Sequence, residues 1–107
     1  MRKIILALAL VCASPLAAMA QDAAPNKATV VIKDFDFAPM DVSISAGGSV
    51  TWTNRDGEPH TVTSTDGLFR SGALDQDQSF TFTFAKPGTY AYLCSIHPKM
   101  RATVTVH

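Results

Sequence analysis

The sequence predicts an all-β domain, a sandwich or small barrel. Apolar and polar residues alternate with a period of two in five separate runs, and turn residues stand between those runs. Beyond the N-terminal segment, no stretch of roughly ten residues shows a helical period.

The chain opens on a segment that does not belong to the domain. Arg2 and Lys3 form a basic start, and Ile4 to Val11 is an apolar run too short to span a bilayer. Ala18-Met19-Ala20 is a small-residue cleavage pattern. Residues 1–20 therefore read as a secretory signal peptide cut after Ala20. Val11 is a poor residue before a lipidated cysteine, which argues against a lipoprotein anchor at Cys12. Residues 21–28 are small and polar and read as a flexible leader, and the domain is expected over 29–107.

Within that domain Val30 and Ile32 share one strand face, as do Val42 and Ile44, and Val50 and Trp52. Phe80, Phe82 and Phe84 form a fourth apolar face, and Val104 and Val106 a fifth. All are expected in the core, each facing away from Thr, Ser, Lys or Val on the alternate positions. Gly47-Gly48, Asn54-Arg55-Asp56-Gly57, Asp66-Gly67 and Lys86-Pro87-Gly88 supply the turns. Thr65 to Gln78 is the least regular stretch. It reads as a connection with one short strand at most, anchored by Leu68, Phe69 and Leu74. The lack of a cysteine pair flanking the core Trp argues against an immunoglobulin domain.

Export changes the composition. The full chain balances nine basic against nine acidic residues, and loss of Arg2 and Lys3 leaves seven against nine. A net charge of −2 argues against a nucleic-acid partner, and no second apolar run is long enough for a membrane span. The mature chain, about 87 residues, would be a monomer with a modest core. A ligand bound only by the folded state would stabilise it.

Export also discards Cys12 and leaves Cys94 as the one cysteine, with no internal disulfide partner. Cys94 is then a buried thiol, an intermolecular link or a metal ligand. Its neighbours favour the last. Tyr90, Tyr92 and Cys94 share a strand face, and Met100, Ala102, Val104 and Val106 share a face of the final strand. A tight loop must join the two, with Cys94 at its start, Met100 at its end and His97 midway, stiffened by Pro98. His60 comes from a distant connection after the Val50–Trp52 strand and would close the site across the fold.

One thiolate, two imidazoles and one thioether are the donor set of a blue-copper electron-transfer site, since soft sulfur ligands select copper. Zinc also takes Cys and His but completes its shell with Cys, His, carboxylate or water rather than Met. Taken singly, each residue has a duller reading: Cys94 and Met100 as core filler, His60 and His97 as loop residues, His107 as a surface residue. Together on one exported all-β chain they form a site.

The chain resembles the cupredoxins, the type I (blue) copper proteins, and most of all the amicyanin and plastocyanin group. Phe37-Ala38-Pro39, Val50-Thr51-Trp52-Thr53-Asn54, Pro59-His60-Thr61-Val62, Gly88 to Cys94 and His97-Pro98-Lys99-Met100-Arg101 carry the resemblance, which spans about Ala28 to Val106. It implies an eight-stranded Greek-key sandwich or barrel and one copper ion held by His60, Cys94 and His97 with Met100 axial. It implies a periplasmic one-electron carrier, not an enzyme, that serves redox partners of the dehydrogenase, cytochrome or oxidase kind. Electrons would pass at His97, with Met40, Pro98 and Lys99 around it. Two positions depart from the pattern. Thr61 stands where relatives carry the Asn that braces the copper loop, and Thr61 and Ser95 are the candidates to replace it. Lys99 stands where amicyanin has a bulky apolar residue, and it makes the docking rim more basic.

Three rivals follow from the same residues. A copper chaperone or store would expose Met-rich or His-rich tracts, yet beyond residue 20 only Met40 and Met100 remain. A multicopper enzyme would need more His ligands around Cys94, where Leu93 and Ser95 stand instead. A metal-free module would not keep the complete donor set.

Overall fold

The computed structural model describes residues 24–107. The signal peptide and its cleavage point lie outside the described residues. Eight strands run in the order β1 (Lys27–Lys33), β2 (Asp36–Ala38), β3 (Asp41–Ile44), β4 (Ser49–Asn54), β5 (Thr63–Ser64), β6 (Ser79–Thr83), β7 (Gly88–Leu93) and β8 (Arg101–Val106). They form two four-stranded sheets, β2-β1-β4-β6 and β3-β8-β7-β5. The result is the all-β sandwich that the alternation predicts, with the eight strands expected from the resemblance.

Alternation sets which side chains meet. In the first sheet β1 and β4 run parallel, with Val30 opposite Trp52 and Ile32 opposite Asn54. In the second, β3 pairs parallel with β8, and β7 and β8 form an antiparallel pair with Tyr92 opposite Ala102. The inner faces bury Val30, Ile32, Val42, Ile44, Val50, Trp52, Val104 and Val106. Trp52 lies at the centre, 5.3 Å from Tyr92 and 5.8 Å from Phe69 between ring centroids.

Three expectations need adjustment. β1 begins at Lys27 and takes in Ala28, so two residues assigned to the leader pair with Ser49 and Val50 of β4. Their backbone hydrogen bonds extend a ladder that the small, polar composition does not advertise. Only Phe84 of the three β6-side phenylalanines is fully buried. Phe80 and Phe82 are partly covered, because β6 is an edge strand of its sheet. The 65–78 connection carries no strand but two isolated bridges, His60 to Leu74 and Thr63 to Arg70. Its Phe69 and Leu74 are buried while Leu68 is exposed.

Two close fits depend on single residues. Gly48 sits where a Cβ would lie 2.5 Å from the Asn26 carbonyl oxygen and 2.8 Å from that of Ser45. Both carbonyls already accept backbone N–H groups, those of Ser49 and Gly48. Tyr92 and Trp52 each bury a polar atom, the phenol oxygen and Nε1, without a hydrogen bond of good geometry. Burial pushes the Tyr92 phenol up to about 12, against a smaller downward pull from the nearby indole, so it stays neutral.

The β1–β2 turn has a different support. Asp34 and Phe35 both have positive φ, 53° and 59°. For a bulky side chain that region costs on the order of 1–3 kcal/mol and persists only where its surroundings hold it. The Asp56 carboxylate does so. Its Oδ1 accepts the Asp34 N–H at 2.8 Å and its Oδ2 the Phe35 N–H at 3.0 Å. Burial raises the Asp56 carboxyl, but the Phe35 and Asp34 N–H groups and the His60 ring outweigh it, and the net lies below the ordinary 3.8.

These contacts predict three outcomes. Gly48→Ala forces the Asn26 or Ser45 backbone to move and lowers stability by about 1–3 kcal/mol, read as a lower urea midpoint of the metal-free protein. Tyr92→Phe removes an unpaired buried hydroxyl and raises stability by about 1 kcal/mol, seen as a higher midpoint with an unchanged slope. Because the folded Asp56 value is depressed, its stabilisation is fully present above the ordinary 3.8 and is lost as pH falls through the lower folded value. The stability gap between the metal-free wild type and Asp56→Asn therefore narrows below about pH 4 in urea unfolding.

Candidate metal centre

The site is assembled from two loops at one end of the sandwich. The first joins β4 in one sheet to β5 in the other and carries Asn54, Asp56, His60 and Thr61. The second is the β7–β8 loop, with Cys94, His97 and Met100.

Asn54 shapes the first loop. It is fully buried at the end of β4, and its Nδ2 donates to the carbonyls of Glu58 at 2.9 Å and Leu74 at 2.8 Å. Its Oδ1 accepts the Asp56 N–H at 2.9 Å. The chain then turns back, and His60 exchanges both backbone hydrogen bonds with Leu74. That bridge seats His60 with no solvent exposure.

The second loop closes on itself. Met100 N–H donates to the His97 carbonyl at 2.9 Å, and Cys94 N–H donates to the Met100 carbonyl at 3.1 Å. Cys94 is therefore buried at the end of β7, Met100 is buried at the start of β8, and His97 sits half-buried at the turn between them.

Thr61 fastens one loop to the other. Its N–H points at Cys94 Sγ at 3.3 Å. Its Oγ1 accepts the Ser95 N–H at 2.7 Å and lies 2.9 Å from both Ser95 Oγ and Thr63 Oγ1. A hydroxyl here braces the loop, and Ser95 takes part as expected.

The two imidazoles face the sulfur through the same atom. His60 Nδ1 lies 3.8 Å and His97 Nδ1 3.7 Å from Cys94 Sγ. One ligand atom from each of the three residues falls within 4.8 Å of the others. A trigonal metal with bonds of about 2.3 Å to sulfur and about 2.05 Å to nitrogen would separate sulfur from nitrogen by about 3.8 Å. Both sulfur–nitrogen distances thus already match the spacing that one ion needs. His60 Nε2 is 2.8 Å from Asp56 Oδ2, and a carboxylate accepting there keeps the proton on Nε2 and leaves Nδ1 free to ligate.

Sequence reasoning places His60, Cys94, His97 and Met100 in one region, and the structure brings the first three into a cluster with Met100 closing the loop. It misses Asp56 and Phe35. An acidic residue inside an Asn-Arg-Asp-Gly turn reads as a surface turn residue, and only its position four before His60 hints otherwise. Phe35 lies in an Asp-Phe-Asp-Phe run that alternation would extend as strand. The positive φ values break that alternation and swing its ring over the site, 5.0 Å from the His60 ring and 4.8 Å from the His97 ring.

Comparisons with known proteins agree with this geometry. The family model for the cupredoxin-like domain matches residues 3–106. The chain is 35% identical to amicyanin-alpha of Methylorubrum extorquens over 99% of both chains. It is 36% identical to the chloroplastic plastocyanin of Physcomitrium patens, covering 78% of this chain and 60% of that one. Among solved structures, a purple cupredoxin from Nitrosopumilus maritimus superposes with a TM-score of 0.70 at 33% identity, over 75% of this chain and 99% of that one. Two sheets closed at one end by a His-Cys-His cluster, matched along almost the whole length by the cupredoxin-like model, place this chain in the cupredoxin-like family.

Proposed function

We propose that the protein is a blue-copper one-electron carrier, in which His60, Cys94, His97 and Met100 would hold one type I copper ion. One observation carries this reading: two imidazole Nδ1 atoms converge on a buried thiol at trigonal spacing, with a backbone N–H already aimed at the sulfur. The thioether at the loop's end favours copper over zinc. The amicyanin and plastocyanin relatives support the same conclusion.

Bound copper supplies a Cu(II)/Cu(I) couple that exchanges one electron without breaking bonds in the protein. The chain's own residues supply the rest. Burial of Cys94, His60 and Met100 keeps bulk water from the donors. The Thr61 N–H withdraws charge from the sulfur and so tunes the potential. Hydrogen bonds that close the 94–100 loop hold Cys94, His97 and Met100 at fixed separations, so little rearrangement accompanies a change of charge. No bond chemistry is assigned to any residue, and the protein is a carrier rather than an enzyme.

His97 is the candidate ligand that reaches the surface. It lines a shallow groove of about 560 Å³ with Phe35, Asp36, Ile96, Pro98 and Lys99. Phe35 and Ile96 are each 46% exposed, an apolar rim on which a redox protein can dock at short distance from the imidazole edge. Lys99 and Asp36 add one charge of each sign to that rim. The partner is a redox protein of the dehydrogenase, cytochrome or oxidase class, met by a monomeric carrier in the periplasm. Export to that compartment rests on residues 1–20, read as a signal peptide cleaved after Ala20. No helix among the described residues is long and apolar enough to cross a membrane.

The deciding experiment adds Cu(II) to the mature protein and records visible and electron-paramagnetic spectra. One copper per chain with an intense thiolate-to-copper band is expected, together with fast electron self-exchange and slow copper release. Rapid hand-off of copper to a chelator with slow self-exchange would instead indicate a copper store. The Cys94→Ser protein is expected to lose the visible band entirely; a band that survives this change rules out the proposed ligand set.

A further inference from the structure

One carboxylate touches both the candidate metal centre and the exposed rim. Asp56 is buried and accepts three hydrogen bonds: from Asp34 N–H at 2.8 Å, from Phe35 N–H at 3.0 Å and from His60 Nε2 at 2.8 Å. It is itself held, since its N–H donates to Asn54 Oδ1, and Asn54 is fixed by the carbonyls of Glu58 and Leu74. The two N–H groups belong to the positive-φ turn, a conformation that a phenylalanine does not keep unaided. That turn carries the Phe35 ring, which stands edge-on to both imidazoles at interplanar angles of 89° to His60 and 80° to His97. The same ring is half exposed on the rim of the His97 groove.

We propose that Asp56 is a positioning residue: one carboxylate sets the tautomer and rotation of buried His60 and holds the Asp34–Phe35 turn that lays an aromatic ring across both imidazoles. The buried ligand and the docking rim then move as one body. A partner that presses on Phe35 meets a surface tied by two hydrogen bonds to the carboxylate that orients His60, and His97 is kept at a fixed depth beneath that ring. A carboxylate is suited to this task because it has acceptor sites for all three donors and none of its own protons to place. An amide of the same shape has one acceptor oxygen and would turn an N–H group towards a donor.

The consequence for electron transfer rests on the copper-carrier reading, but the clamp itself is present without metal, and the test separates the two. In the metal-free mature protein, hydrogen exchange followed by NMR should show the Asp34 amide, the Phe35 amide and the His60 Nε2 proton opening with the same equilibrium constant, because one carboxylate releases all three. Opening constants that differ by more than about tenfold would overturn the proposal before any variant is made. In Asp56→Asn these three protons should exchange at least about tenfold faster, while β1–β4 ladder amides such as that of Thr53 change little. Asp56→Glu, which keeps the charge, should recover part of that protection. Phe35→Ala should leave the slow His60 Nε2 proton in place, since the carboxylate remains.

With copper bound, Asp56→Asn is expected to alter the electron-paramagnetic spectrum and to slow self-exchange by about tenfold, whereas Phe35→Ala should slow self-exchange with a nearly unchanged spectrum. Unchanged exchange of the three protons in Asp56→Asn would refute the clamp whatever the copper spectra show. Absence of a blue site in the wild type would refute the carrier reading and leave the proton-exchange result to judge the clamp alone.

Discussion

The structure depends on satisfying buried polar atoms at one end of an otherwise apolar sandwich. Among the described residues the buried polar and charged side chains are Asn54, Asp56, His60, Thr61 and Ser64, and all of them belong to the segment that crosses from β4 to β5. An unpaired polar group in such a place is expensive, so the segment can be buried only in a conformation that partners each of them. Asn54 binds the carbonyls of Glu58 and Leu74, Asp56 takes the β1–β2 turn and His60, Thr61 accepts the Ser95 N–H, and Ser64 donates to Asp66. The same requirement that fixes the loop also fixes the orientation of His60.

From this constraint the donor cluster follows. The β7–β8 loop is closed by its own hydrogen bonds, but its position relative to His60 is decided by Thr61, whose N–H and Oγ1 reach Cys94 and Ser95 across the two sheets. A hydroxyl suffices as the brace, because what the loop needs is an acceptor for the Ser95 N–H and not a particular side chain. Below this polar cap, Trp52, Phe69, Tyr92 and Phe37 form a connected aromatic core. That core keeps the ends of β4 and β7, and hence both loops, at a constant separation. The Trp52 and Tyr92 polar atoms left without good hydrogen bonds are the one place in the described core where packing has prevailed over polar satisfaction.

The same arrangement sorts the site into an interior and a rim. His60 and Cys94 are sealed, while His97 stands at the floor of a groove bounded by apolar side chains and by Lys99. Water is thus kept from the thiol and the His60 ring, and His97 is the one imidazole of the cluster with an exposed edge. Lys99 belongs to this rim, so the groove beside His97 sets a charge among apolar side chains.

Much of this was legible in the residues alone, and for a definite reason. Strand alternation is a local property with a period of two, so the inner faces of β1, β3, β4 and β8 could be read position by position. The spacing of Cys94, His97 and Met100 is also local, and a short loop between paired strands leaves those side chains few places to go. His60 could be named from its chemistry and its place after a strand. The tertiary structure decided what depends on contacts between distant segments: that Lys27 and Ala28 join a ladder, that β6 lies at an edge and leaves Phe80 and Phe82 half covered, that Thr61 is the brace. Asp56 and Phe35 belong to the same class. Their roles rest on hydrogen bonds between positions more than twenty residues apart and on two left-handed residues that interrupt the alternation. A pattern read along the chain carries no information about which buried carboxylate a distant backbone N–H will find, because that choice is made only when the sheets close over it.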